Sequence, residues 1–266
     1  MPLKTKDLMT IGNIYCGILS VLYIIQGNLV WASYLILLAW IFDALDGSVA
    51  NLLKQANKFG GEFDNVADLI AYSMSPTFLV WAFFIDRLPF WVVLPLASLP
   101  LTLGCVRFAR FNVKRIYYPG VWIGYPRPAS ALMIVGILNS HLVQAQFPFF
   151  PDAGLYVAAI VVAVSSLGNL GLIPFMSHHG KIKPHVAPFM WFLLITLVIG
   201  LATDAILFFD PLAPLVGLTW DIITIWLVLY AFVHRFLVWD MAELHKIKDF
   251  TRAWLAEEKQ ELAAGH

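Results

Sequence analysis

Four aspartates, Asp43, Asp46, Asp64 and Asp68, stand in two stretches whose surroundings are apolar enough to lie in a bilayer. Each carboxylate near a bilayer centre costs roughly 2.5–3.5 kcal/mol on insertion scales, so four in hydrocarbon would threaten insertion of both helices. They must therefore face something polar. Asp43 and Asp46 are spaced i, i+3 and Asp64 and Asp68 i, i+4, so each pair projects from one face of a helix. A helical hairpin then gathers four carboxylates, which repel one another unless protonated or neutralised by cations. Hard oxygen ligands of this kind suit Mg²⁺ or Mn²⁺, and Ca²⁺ also fits. Gly47 and Gly60 lie beside the acidic positions, where the absence of a Cβ lets a ligand or another helix approach closely.

The elements that must position these groups follow from composition. The chain has 266 residues, 60% of them hydrophobic and 13% charged, and repeatedly supplies apolar runs near the ~20 residues a membrane helix needs. An all-α, polytopic membrane bundle of about eight transmembrane helices is expected. The spans fall near residues 8–26, 29–53, 63–85, 90–110, 128–146, 155–175, 186–209 and 215–237. Residues 1–184 would form a six-helix core, 185–238 two further spans, and 239–266 a helical tail in the cytosol or along the membrane surface. The first span has the basic start of a signal peptide but no small-residue cleavage site, and it reads as a membrane helix. On it, Thr10, Asn13 and Gly17 share helical spacing, a pattern that serves helix packing through small and polar residues.

Charge placement orients the bundle. With the N-terminus in the cytoplasm, 16 of the 17 Lys and Arg residues fall on the cytoplasmic side, and only Arg87 lies outside. By the positive-inside rule the acidic cluster then faces the cytoplasm, as expected for a protein of the inner cell membrane. Net charge is zero, which argues against a nucleic-acid partner. Cys16 and Cys105 sit in apolar segments and read as packing residues. His178, His179 and His185 flank lysines in a loop without a zinc-like spacing.

A second chemical region is RFARFNVKR, Arg107 to Arg115, followed by GYPRPASA with Arg127. Lys114 and Arg115 are explained by the positive-inside signal alone. Arg107 and Arg110, i and i+3 near the end of an apolar span, are suited to bidentate contact with phosphate or with the carboxylate of an acceptor.

These residues carry a resemblance. The pattern D-x2-D-G-x2-A-R-x8-G-x3-D-x3-D of the CDP-alcohol phosphotransferases falls on Asp43, Asp46, Gly47, Ala50, Asn51, Gly60, Asp64 and Asp68, matching seven of eight positions. The departure is Asn51, where the family has Arg; Lys54 and Lys58 lie nearby and can supply charge. Within the family, the segments IGNIYCGILS, RFARFNV and GYPRPASA resemble the phosphatidylserine synthases. The resemblance implies a metal-dependent membrane transferase that joins a CDP-diacylglycerol-type lipid to L-serine and releases CMP. Asp43, Asp46 and Asp64 would be the principal metal ligands, with Asp68 at the metal and accepting the serine hydroxyl proton. Gly47, Ala50 and Gly60 would make room for the nucleotide, with Asn51, Lys54 and Asn13 bordering it. A homodimer is implied by the same resemblance.

Three other readings stay open. A relative could use another acceptor or an archaeal-type lipid. A transporter could bind a coupling cation at the carboxylates, although no inverted second half carries a matching pair. A non-catalytic relative could retain the fold with Asn51 in place of Arg.

Overall fold

The computed structural model describes residues 7–52, 58–113, 118, 121–144, 152–176, 187–207, 217–232 and 241–263. Helix α1 (Asp7–Ile25) returns through a tight turn into α2 (Leu29–Leu52). At Gly27, φ is +79°, a left-handed conformation that glycine adopts without steric cost. The next span is one continuous helix made of α3 (Lys58–Leu69), a π-helical turn (Ile70–Met74) and α4 (Ser75–Phe84). It is followed by α5 (Phe90–Val113), strand β1 (Val121–Ile123), α6 (Arg127–Asn139), the short α7 (His141–Gln144) and α8 (Ala153–Gly168). Strand β2 (Pro174–Met176) precedes α9 (Ala187–Leu207), α10 (Leu218–Phe232) and α11 (Met241–Ala263).

The centre of this bundle is α6. Every residue from Ser130 to Leu138 is buried, as a helix hydrophobic on all sides should be. It packs against α2, α4, the π-helical turn, α8 and α10. The outer helices invert the pattern of a water-soluble protein. Ile18, Leu22 and Ile25 of α1, Trp91 and Leu94 of α5, Ile160 and Val164 of α8, and Ile225 and Phe232 of α10 are exposed. Such a surface belongs in lipid, where apolar side chains cost nothing.

Small residues and hydroxyls join the helices, the usual solution where no hydrophobic drive separates helix from lipid. Ser75 Oγ donates to Gly17 O at 2.9 Å, Ser20 Oγ to Ala32 O at 3.0 Å, and Ser130 Oγ to Ser165 O at 3.0 Å. A Cβ on Gly17 would sit 3.0 Å from Ala71 Cα, so α1 can approach the π-helical turn this closely only without one. Pro95 and Pro100 lie inside α5, and the Leu101 amide finds Thr77 Oγ1 at 3.1 Å. That bond satisfies a backbone donor where proline disturbs the helical ladder.

The all-α membrane bundle is the observed architecture, with two corrections to the expected spans. Four described helical segments are long and apolar enough to cross a membrane: Asp7–Ile25, Leu29–Asp46, Phe59–Phe84 and Phe90–Val113. The fifth expected span instead breaks at Ser140, whose ψ of 144° is extended, leaving a 13-residue α6 enclosed by its neighbours. The sixth expected span ends at Gly168, not Phe175. Pro174–Met176 forms a strand antiparallel to β1, pairing Val121 with Met176, Trp122 with Phe175 and Ile123 with Pro174. Apolar residues there signalled burial, but they are buried in a two-stranded ribbon. The tail helix α11 covers that ribbon: Leu244, Ile247 and Trp254 form a cluster with Val121 and Ile123.

Candidate active site

Asp43 lies on α2, and Asp64 and Asp68 on α3. One carboxylate oxygen from each lies within 4.8 Å of the others. At an effective dielectric near 20, unit charges this close repel by about 3–4 kcal/mol per pair. A proton or a cation must offset that repulsion. Arg127, the first residue of α6, supplies part of that offset: its Nη2 lies 3.2 Å from Asp68 Oδ2, with the two side chains 10% and 13% exposed. One guanidinium cannot offset three carboxylates. The remaining deficit, the all-oxygen donor set and the buried Asp68 Oδ1, which has no hydrogen-bond partner, together fit a hard divalent cation.

Asp46 is buried, and Thr10 Oγ1 donates to its Oδ2, so the acid that shares a face with Asp43 is tied to α1. The small polar face of α1 therefore serves both packing and the site. Asn13, one turn beyond Thr10, is fully buried beside Asp68, and neither of its amide atoms completes a hydrogen bond. Gly60 is buried on α3. Gly47, Ala50 and Asn51 belong to the last turns of α2, whereas Lys54 and the histidine loop 178–185 lie outside the described residues.

Three contributors were not singled out by sequence reasoning. Tyr72 donates its hydroxyl to Asp43 Oδ2 at 3.3 Å from the π-helical turn. A turn of this kind shifts helical phase, and such insertions often mark functional positions. The signal available was the i+4 spacing from Asp68 to Tyr72. Asn65 accepts Arg127 Nη2 at 3.3 Å through Oδ1. Arg127 itself stood in the GYPRPASA segment, but nothing in the spacing says that it reaches α3, 59 residues earlier in the chain.

Arg107 and Arg110 reach different partners. Arg107 is buried, donates from Nη1 to Asn169 O at 2.5 Å and stacks over Phe111 at 4.7 Å. Arg110 lies over the Trp254 ring of α11 at 5.0 Å. Arg107 is near enough to both Arg127 and Arg110 for their charges to repel, and Arg127 in turn pairs with Asp68, so the basic group adjoins the acidic one through Arg127. Gly124 makes that basic group compact: its φ is +79°, and a Cβ would lie 2.6 Å from both Arg107 Nη1 and Gly171 O. Next to it, burial pushes the Tyr125 phenol above its usual range.

Carboxylates on an adjacent helix pair, flanked by arginines, can hold a cation and a phosphorylated ligand together. Comparison with known sequences agrees: residues 4–209 match the CDP-alcohol phosphatidyltransferase family. The chain belongs to that family. Among its relatives, a CDP-diacylglycerol–serine O-phosphatidyltransferase of Helicobacter pylori is 34% identical over 130 residues, 48% of this chain and 54% of the relative. Proteins of the same name from Methanocaldococcus jannaschii and Bacillus subtilis are 28% and 29% identical. The matches cover 61% and 48% of this chain and 83% and 71% of those relatives, respectively. The chain thus spans about half the length of the first curated relatives it matches.

Proposed function

We propose that this protein transfers the phosphatidyl group of a CDP-diacylglycerol-type lipid to L-serine, releasing CMP. The observation that carries this reading is the convergence of Asp43, Asp64 and Asp68 within 4.8 Å, inside a chain of this family. The relatives' names support serine as the acceptor.

Asp43, Asp64 and Asp68, joined by Asp46 from the same face of α2, would hold Mg²⁺ or Mn²⁺. When bound, that cation neutralises the pyrophosphate and the charge developing on departing CMP. Asp68 takes the serine hydroxyl proton at Oδ1, the oxygen that Arg127 does not engage. The bond from serine oxygen to the lipid phosphorus forms as the bond from that phosphorus to the CMP oxygen breaks. By the family resemblance, Gly47, Ala50 and Gly60 would leave room for the nucleotide, and Asn13, Asn51 and Lys54 would border it. Arg107 and Arg110 attract the phosphate or the serine carboxylate toward the basic group. The reading includes a site facing the cytoplasm in the inner membrane, supported by the distribution of basic residues, and a homodimer, supported by the family resemblance.

The test is CMP release by purified protein given CDP-diacylglycerol and Mn²⁺ or Mg²⁺, with serine, inositol phosphate, glycerol phosphate or choline as acceptor. Serine-dependent release, reduced about 10²–10⁴-fold in Asp68→Asn, is expected for loss of a general base. Release with another acceptor would displace serine. Absence of release with every acceptor and lipid tail would remove the enzymatic reading.

A further inference from the structure

Arg127 is placed with more care than a topology signal requires. It opens α6 immediately after Pro126, whose ψ of 140° is extended, and Pro128 follows in the first helical turn. Proline at these positions pre-sets the backbone for a helix start. The approaching segment is fastened to the chain around α8: Gly124 N donates to Ile173 O at 2.9 Å and Tyr125 N to Gly168 O at 2.8 Å. At its other end α6 is held by Asn139 Nδ2, which donates to Ser33 Oγ at 2.9 Å. The Arg127 side chain therefore projects from the most enclosed helix of the molecule.

Its guanidinium uses that fixed origin to grip α3 at two residues. Nη2 lies between Asp68 Oδ2 at 3.2 Å and Asn65 Oδ1 at 3.3 Å, and Nη1 approaches Asn65 O at 3.5 Å. Asn65 and Asp68 are i, i+3, so the planar fork spans one face of the helix. One oxygen of Asp68 is thus committed, and the other is left buried without a hydrogen-bond partner at the junction with Asp43 and Asp64.

We infer that Arg127 is a positioning residue: it fixes the rotation of the Asp68 carboxylate so that Oδ1 is presented to the cation and to the acceptor hydroxyl. This rests on the metal-dependent reading above and adds a residue outside the acidic motif. A rotating carboxylate would present either oxygen, or neither, and the cation site would lose a defined ligand geometry. Groups that orient metal ligands in this way typically change metal affinity by about 10–100-fold when replaced.

Geometry and charge balance make opposite predictions. If Arg127 only offsets negative charge, Arg127→Gln leaves a more anionic cluster that binds a cation more tightly, and Arg127→Lys behaves as the wild type. If it orients Asp68, both variants bind more weakly, because lysine offers a point charge on a flexible stem and not a planar fork.

The experiment follows thermal unfolding of the full chain in detergent by tryptophan fluorescence while Mn²⁺ is titrated, without substrates. The midpoint of the Mn²⁺-induced stabilisation is expected to rise about 10–100-fold in both Arg127→Lys and Arg127→Gln. CMP release at saturating Mn²⁺ is expected to show a reduced kcat with little change in the KM for serine. A midpoint that stays put or falls in Arg127→Gln overturns the inference, as does a wild-type midpoint in Arg127→Lys. A raised serine KM at unchanged kcat and midpoint overturns it in favour of direct substrate binding. Should the Arg127 variants fail to fold, Asn65→Ala removes one anchor of the fork and leaves the ion pair. It is expected to raise the midpoint in the same direction by less, and an unchanged midpoint overturns the inference. No Mn²⁺-induced stabilisation of the wild type would overturn the metal reading itself, whereas a wild-type response shared by every variant overturns only the role of Arg127.

Discussion

Helix α2 borders two environments for acids, about 14 Å apart along its axis at 1.5 Å per residue from Tyr34 to Asp43. Near its start, the Tyr34 hydroxyl donates to Asp204 Oδ2 at 2.7 Å. Asp204, in the last turn of α9, also accepts the amides of Gly217, Leu218 and Thr219 at 3.0, 3.2 and 3.4 Å. It caps the N-terminus of α10 from another helix, where backbone donors otherwise lack partners. Further along α2, Asp43 meets two other carboxylates. Both acids lie on apolar helices, Asp204 buried and Asp43 half-buried, yet one is saturated with donors and the other is crowded by like charges. A carboxylate surrounded by donors holds structure together, whereas carboxylates gathered against one another call for a proton or a cation to share.

That contrast can be broken at either end. The largest effect is expected from Asp43→Asn, which removes a charge from the crowded end. Affinity for Mn²⁺, read from thermal unfolding, should fall by more than the roughly 100-fold upper range for residues that only support a ligand. The unfolding temperature without metal should hold or rise, since repulsion is relieved. A drop there as large as that of a core deletion would place Asp43 among the structural acids.

Asp204→Ala should behave in the opposite way. Loss of the cap leaves the Tyr34 hydroxyl and three amides without their acceptor, and about 2–4 kcal/mol of stability should disappear. CMP release per folded molecule and the Mn²⁺ midpoint should stay at wild-type values. Impaired metal binding in this variant would mean that the two ends are coupled, not independent. The smallest effect is expected from Tyr34→Phe, which deletes one donor to Asp204 and keeps the ring packed at 4.9 Å from Trp220. About 1 kcal/mol of stability should be lost, measurable by denaturant unfolding, and a loss as large as that of Asp204→Ala would assign the cap's strength to the hydroxyl.

Much of the architecture was legible because hydrocarbon imposes a length on helices. The apolar runs that became α1, α2, the α3–α4 span and α5 read directly from the chain. The rule fails for α6, which is surrounded by protein and so is free to be short. It fails again at Pro174–Met176, where apolar character reports burial without saying in what. At the site, the acidic spacings on α2 and α3 predicted a shared face, and Asp43, Asp64 and Asp68 do meet. The link from Thr10 to Asp46 and the grip of Arg127 on Asn65 and Asp68 join distant segments, which local periodicity does not encode.

A membrane bundle, the helical faces on which the acids lie and the resemblance that points to their chemistry could all be read from the residues alone. These depend on composition and on spacings of three or four residues, which survive without knowledge of neighbours. What separates an acid crowded by other carboxylates from one saturated with donors appears only once the chain is folded. Asp43 and Asp204 are both single carboxylates in apolar helices until the chain folds; what distinguishes them is the donors or charges that other segments bring within hydrogen-bonding or coulombic reach.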